Sequence, residues 1–93
     1  MSRLTIFNDI STERERQEDL KAAGKFTFTL ADPEGAGNKP AVLGEEFGEV
    51  YCAALNAAGS STDAPERGDL RKELIQLAAC AVAWVEALDR EQA

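Results

Sequence analysis

The chain has 93 residues, 44% of them hydrophobic and 29% charged, which suits one small packed domain and no more. Its formal net charge is −7, from 10 Lys and Arg against 17 Asp and Glu, with no His. That balance argues against a nucleic-acid binder, which neutralises phosphates with Lys and Arg, and the missing His excludes a Ser-His-Asp triad within the chain.

An acidic chain can hold cations or carry its charge only for solubility, and the composition does not choose between these. Residues 1–8 lack a basic region followed by an apolar stretch, so no secretory signal is expected and a cytoplasmic location is the default. Cys52 and Cys80 both lie among alanines and other apolar residues, which predicts buried, unreactive thiols.

Residues 8–23 are expected to form the first helix. Thr12 followed by Glu15 fits a capping box, and Gly24 fits a helix stop. Its body, ERERQEDLKAA, is so charged that a solvated helix laid against the rest is the plain reading. Residues 24–39 read as a loop. FTFTL alternates like a short strand, and DPEGAG is turn chemistry. A loop this long in a small domain is often functional or mobile.

A second helix is expected over 40–58, with Pro40 in its first turn. Leu43, Phe47, Val50, Ala54 and the neighbouring Tyr51 form an apolar stripe at helical spacing. After a polar connection, Asp69 is expected to cap a third helix over 69–90. Leu70, Leu74, Leu77, Ala81, Val85 and Leu88 make its stripe, and Ile75, Ala78, Ala79, Val82 and Trp84 add apolar surface elsewhere. Gln76 and Glu86 interrupt the run, which is short for a membrane span, so a buried central helix is expected, with a subunit interface as one way to bury it. The fold expected is all-α: a single domain over 1–93 whose protomer has three principal helices, with room for short extra turns.

The second and third helices share a pattern. Leu43-x-x-Glu46 with Glu49 three further on matches Leu70-x-x-Glu73 with Gln76 three further on. At about 100° per residue, Glu46 and Glu73 lie near ~300° from the leading leucine, and Glu49 and Gln76 near ~240°. The apolar stripes span roughly 340° round to 80°. Each helix thus carries a pair of oxygen ligands at one edge of its apolar face, and packing the two stripes together would bring the pairs close. Carboxylates so gathered repel, and a divalent cation removes that penalty. Glutamates three apart are also common on solvated faces, so both readings stand at this level.

GEEFGEV, 44–50, followed by KELIQLAA, 72–79, resembles the signature of the MazG-like all-α nucleoside triphosphate pyrophosphohydrolases: E-E-x-x-E, a variable gap, then E-x-x-D. Glu45, Glu46 and Glu49 match the first block and Glu73 the Glu of the second, while Gln76 stands where the family has Asp. ERERQ, 13–17, with Lys21 and Gly24, resembles the opening of small MazG-like proteins from bacteriophages and prophages. The resemblance implies Mg²⁺-dependent hydrolysis between the α and β phosphates, with Mn²⁺ a possible substitute, in a bundle completed as a homodimer or homotetramer. It implies that Glu46, Glu49 and Glu73 hold the metal with Gln76 assisting, and that Glu45 and Glu46 serve catalysis.

Phosphate needs positive partners, and Lys21, Lys25, Lys39 and Lys72 are the candidates, with Arg71 nearby; each also reads as ordinary surface charge. Phe26 and Phe28 are candidates for stacking a base or for pinning the loop, and Trp84 reads as core. Gln brings a carbonyl oxygen but no charge. The alternative is therefore a catalytically inactive relative that binds nucleotide or protein; neither reading involves nucleic acid or a membrane.

Overall fold

A computed structural model describes residues 2–92, and these form three helices: α1 (Arg3–Ala22), α2 (Lys39–Ala57) and α3 (Pro65–Glu91). No strand occurs among the described residues, and no described helix is long and apolar enough to cross a membrane. The all-α expectation holds among the described residues.

The helix starts differ from expectation, each for a local reason. α1 begins five residues before Asn8 because Ser2 supplies the cap: its Oγ accepts the Thr5 N–H at 3.2 Å. Thr12 and Glu15 lie inside the helix, so they form no capping box. α1 ends as expected, at Gly24 with φ +78°, where the Lys25 N–H donates to the Leu20 carbonyl at 2.8 Å. α2 starts one residue early, with Asn38 Oδ1 accepting the Ala41 N–H at 3.1 Å and Pro40 in the first turn. α3 starts four residues before Asp69, at Pro65, whose ring fits a first helical position.

The segment between α1 and α2 is irregular but tied down. FTFTL makes no strand pairing, since no second extended segment lies beside it. It turns Thr29, Leu30 and Ala31 inward instead. Asp32 accepts the Thr29 N–H at 3.0 Å and pairs with Lys21 of α1. Lys39, with no exposed surface, donates its ammonium to the Asp32 carbonyl and lies 3.9 Å from Glu34. Arg90 near the end of α3 donates to the Ala31 carbonyl. Phe28 lies so close to Gly37 that a Cβ there would overlap its ring.

α2 and α3 form an antiparallel hairpin. Glu49 meets Glu73 near the connection, and Val42 packs with Ala83 and Trp84 near the open end. α1 lies along α3. Arg14 bonds Glu86 at 2.7 Å and Gln17 at 3.0 Å, and Asp9 bonds Arg71 at 2.6 Å. Apart from Gln17, α1 has no buried residue, as its charge predicts.

The packing of α2 on α3 corrects the expected arrangement. The leucine-rich stripes do not fill the buried seam, since Phe47, Tyr51, Leu74, Val85 and Leu88 are exposed. On α3 the buried residues are Ala79, Cys80, Ala83 and Ala87, and on α2 Ala57 is buried with Val42, Glu46 and Ala53 partly so. Ala79, Cys80, Ala83 and Ala87 lie at roughly 180–280° on the wheel of α3, and the α2 set at roughly 260–320° on its own. These faces adjoin the glutamates and lie a quarter turn or more from the leucine stripes. Alanines allow close helix approach, so the hairpin closes through its small-residue faces. Leu30 and Ala31 from the loop complete that core with Cys80 and Ala83, with Phe28, Leu43 and Trp84 against it. Of the two thiols, Cys80 is buried as expected, but Cys52 is exposed.

Candidate metal centre

Glu46 and Glu49 are one turn apart on α2, and Glu73 faces them from α3. Each offers an oxygen within 4.8 Å of the others. Their convergence follows from the hairpin: helical spacing puts Glu46 toward α3 and Glu49 one turn on at the exposed edge, and the antiparallel return places Glu73 near both. Of the four groups expected to approach each other, Glu46, Glu49 and Glu73 come together, through the alanine faces rather than the leucine stripes, while Gln76 lies in the cleft wall with Glu46.

The energetics of this cluster are unfavourable as it stands. Glu46 Oε2 and Glu73 Oε2 are buried without a hydrogen-bond partner among the described residues. Burying carboxylate oxygens that way carries a desolvation cost that hydrogen bonds normally offset. Burial, with the charges of Glu49, Glu73, Glu45 and Glu13, pushes the Glu46 carboxyl up to about 7. Glu73 is also raised, first by burial and then by its hydrogen bond and charge interaction with Glu49, while Lys72 acts in the opposite direction. A hydrogen bond between two carboxyl groups requires a proton on one of them. The donor set is three carboxylates on two helices, and two of them, Glu46 and Glu73, each have one buried oxygen without a partner. Such a set could hold a metal cation.

The cluster lies between two hollows. One is a cleft of ≈ 370 Å³ whose lining includes Glu46, Gln76, Arg16, Gln17, Lys25 and Phe26. The other, ≈ 590 Å³, has Glu45, Glu49, Lys72, Glu73 and Asp69 among its lining residues. Gln76 therefore shares a wall with Glu46, while Glu45 is exposed on the opposite side, beside Glu49.

The four candidate lysines separate cleanly. Lys25 opens onto the cleft and Lys72 onto the second hollow. Lys21 is engaged with Asp32, and Lys39 is buried under the loop, so both hold the fold where the sequence suggested substrate contact. The Lys21 hydrogen bond, more than any other contact, holds the Asp32 carboxyl below its ordinary value. Phe26 is exposed at the cleft, Phe28 is half-buried in its wall, and Trp84 packs against the core.

Sequence reasoning missed the part played by α1. Glu13, Arg16 and Gln17 line the cleft, and Arg16 is held by Glu13 through two bonds of 2.9 and 2.8 Å. That pair raises the Arg16 pKa, and Glu46 adds to it. The signal was present as Glu13, Arg16, Gln17 and Leu20 at helical spacing. The surrounding charge concealed it, since a polar stripe and a solvated face look alike. Cys80 closes the floor, its thiol raised to about 11 by burial and by Glu46. Gln17 Nε2 donates to Cys80 Sγ at 3.7 Å.

Comparison of the chain with protein-family models, curated proteins and solved structures gives no match.

Proposed function

We propose that this protein is a Mg²⁺-dependent nucleoside triphosphate pyrophosphohydrolase of the MazG-like kind, with Mn²⁺ a substitute. One observation carries the reading: three glutamates from two helices present oxygens within 4.8 Å, and two of those carboxylates have a buried oxygen without a partner. The order of acidic residues on α2 and α3 supports the particular chemistry, through the resemblance to E-E-x-x-E and E-x-x-D, from which Gln76 departs at the last position.

In this reading Glu46, Glu49 and Glu73 would hold the ion, with Gln76 assisting. The ion, when bound, neutralises phosphate charge and activates water for in-line attack. Water adds to the α-phosphorus, the bond to the bridging oxygen breaks, and nucleoside monophosphate and pyrophosphate leave. Glu45 takes the proton of that water from the second hollow. Arg16, Lys25 and Lys72 supply positive charge to the phosphates, and Phe26 and Phe28 offer ring faces to the base.

The test is pyrophosphate release from a panel of NTPs and dNTPs with Mg²⁺. Release from at least one, lost in Glu46→Gln, is expected; silence across the panel removes the catalytic reading. A second reading is favoured by Gln76, a neutral group where the resemblance has a carboxylate: a bundle that binds nucleotide without cleaving it. Gln76→Asp separates the two. The catalytic reading predicts activity in both forms with tighter metal binding in the variant, whereas activity confined to the variant identifies the natural chain as the silent form.

A further inference from the structure

Two cations line the cleft, Lys25 from the loop and Arg16 from α1. Glu13, one turn earlier on the same helix, accepts from Arg16 Nε at 2.9 Å and from Nη2 at 2.8 Å. The two ends of this pair are unlike. The Glu13 side chain is 12% exposed and the Arg16 side chain 51%. An ordinary i, i+3 pair on a helix has both ends in water and contributes little. Here a nearly buried carboxylate grips a guanidinium that stays open to solvent at the cleft.

The grip uses one edge of the guanidinium. Nε and Nη2 form its side edge, which Glu13 occupies. Nη1 and the second hydrogen of Nη2 form the end edge, which remains for another oxygen pair. The five N–H donors lie in one fixed plane, so holding the side edge sets the direction of the end edge. Glu13 is unfavourable to its surroundings in every other respect. Its charge adds to the field that burdens Glu46, whose buried oxygen has no partner among the described residues. The pair with Arg16 is what offsets that repulsion.

The placement also indicates which end of a polyphosphate Arg16 meets. In-line displacement puts the entering and leaving oxygens on opposite sides of the phosphorus. Glu45 lines the second hollow, whereas Arg16 lines the cleft beside Glu46. Water deprotonated at Glu45 therefore drives the leaving pyrophosphate toward the cleft and Arg16. We propose, on the pyrophosphohydrolase reading of the glutamate cluster, that Glu13 is a positioning residue: by holding the side edge of Arg16 it aims the end edge at the β and γ phosphates. Glu13 itself touches no substrate atom. It acts only through the direction it gives to Arg16, in the way that outer groups orient the groups that bind.

Calorimetry of the full chain with inorganic tripolyphosphate and Mg²⁺ tests it. Glu13→Gln keeps the shape but leaves one acceptor and no charge. It should weaken tripolyphosphate binding about tenfold, the loss expected for a charge-assisted hydrogen bond. Arg16→Ala should weaken it at least as much, and adding Glu13→Gln to Arg16→Ala should change nothing further. The rise in melting temperature on adding Mg²⁺ should survive in all three. An effect of Glu13→Gln that persists in the Arg16→Ala background overturns the proposal, because it marks a role in the fold alone. Tighter binding in Glu13→Gln also overturns it, by showing that the carboxylate only repels phosphate, and so does unchanged binding. A wild-type chain that takes up no tripolyphosphate removes the pyrophosphohydrolase reading along with this one, whereas binding that both variants preserve removes this one alone. Should a variant unfold, nitrogen NMR of the wild type decides. The Arg16 Nε–H signal should hold its place on adding tripolyphosphate while the Nη signals shift, and loss of the Nε bond to Glu13 counts against positioning.

Discussion

Glu46 shows how a single side chain can report on the whole site. Its carboxyl titrates near 7 in the folded chain, against an ordinary value of 4.5. Between those values the native state holds more protons than the unfolded chain, so stability falls as pH rises. The metal-free protein should therefore lose thermal stability from about pH 5 to pH 7 and level off above that. Glu73, raised in the same direction, adds to the fall. Asp32 acts in a separate window, because its carboxyl is lowered and its contribution disappears only in stronger acid. Glu46→Gln should flatten the slope between pH 5 and 7. It should also weaken the response to divalent ions, since the amide cannot offer a charged ligand. Thermal melts over a pH series check both effects, and an unchanged slope would show that Glu46 is solvated rather than crowded.

Among the elements, α1 is held differently from the other two. The hairpin closes through buried alanines and the loop residues Leu30 and Ala31, whereas α1 contributes one buried residue, Gln17, and a row of polar ties. Arg14 is the centre of that row, bonded to Glu86, Glu18 and Gln17. Its partners Glu86 and Glu18 are partly exposed, so the ion pairs are worth modest amounts after screening. Arg14→Ala should cost about 1 kcal/mol in total. The loss should appear mainly as faster hydrogen exchange in 3–22, with 65–91 little affected. Equal acceleration in all three helices would mean that α1 and the hairpin open as one unit. Because Arg16 and Gln17 reach the cleft from α1, loosening this helix should also weaken nucleotide binding before it weakens metal binding.

For the molecule as a whole, the proposed metal site predicts that ion and fold are linked. The cluster joins α2 to α3, so an ion that binds the native arrangement stabilises the hairpin. At a hundredfold excess over Kd the gain is about 2.7 kcal/mol. For a chain of this size that is roughly 10–20 °C in Tm. Adding Mg²⁺ or Mn²⁺ should raise the midpoint, and a chelator should return it to the metal-free value. Absence of any shift at millimolar ion would leave the glutamates as a destabilising cluster with no ligand.

Local signals in the sequence determined the helices, their approximate ends, the glutamate spacing and the exposed character of α1. Periodicity, Gly24, Pro40 and the charge of ERERQEDLKAA act over a few residues and need no tertiary context. The starts of α1 and α3 were less legible, because Ser2 and Pro65 compete with the equally good caps Thr12 and Asp69. Only the tertiary structure decided which face of each helix turned inward. Hydrophobicity along the chain marks what must be kept from water, but not whether the same chain or another copy covers it. The alanine faces of α2 and α3 can approach closely, so they closed the hairpin and carried Glu46, Glu49 and Glu73 between the helices, leaving the leucine stripes outside. The roles of Lys21 and Lys39 were decided at the same level, since both depend on Asp32, whose position a loop of irregular backbone sets and no periodic pattern encodes.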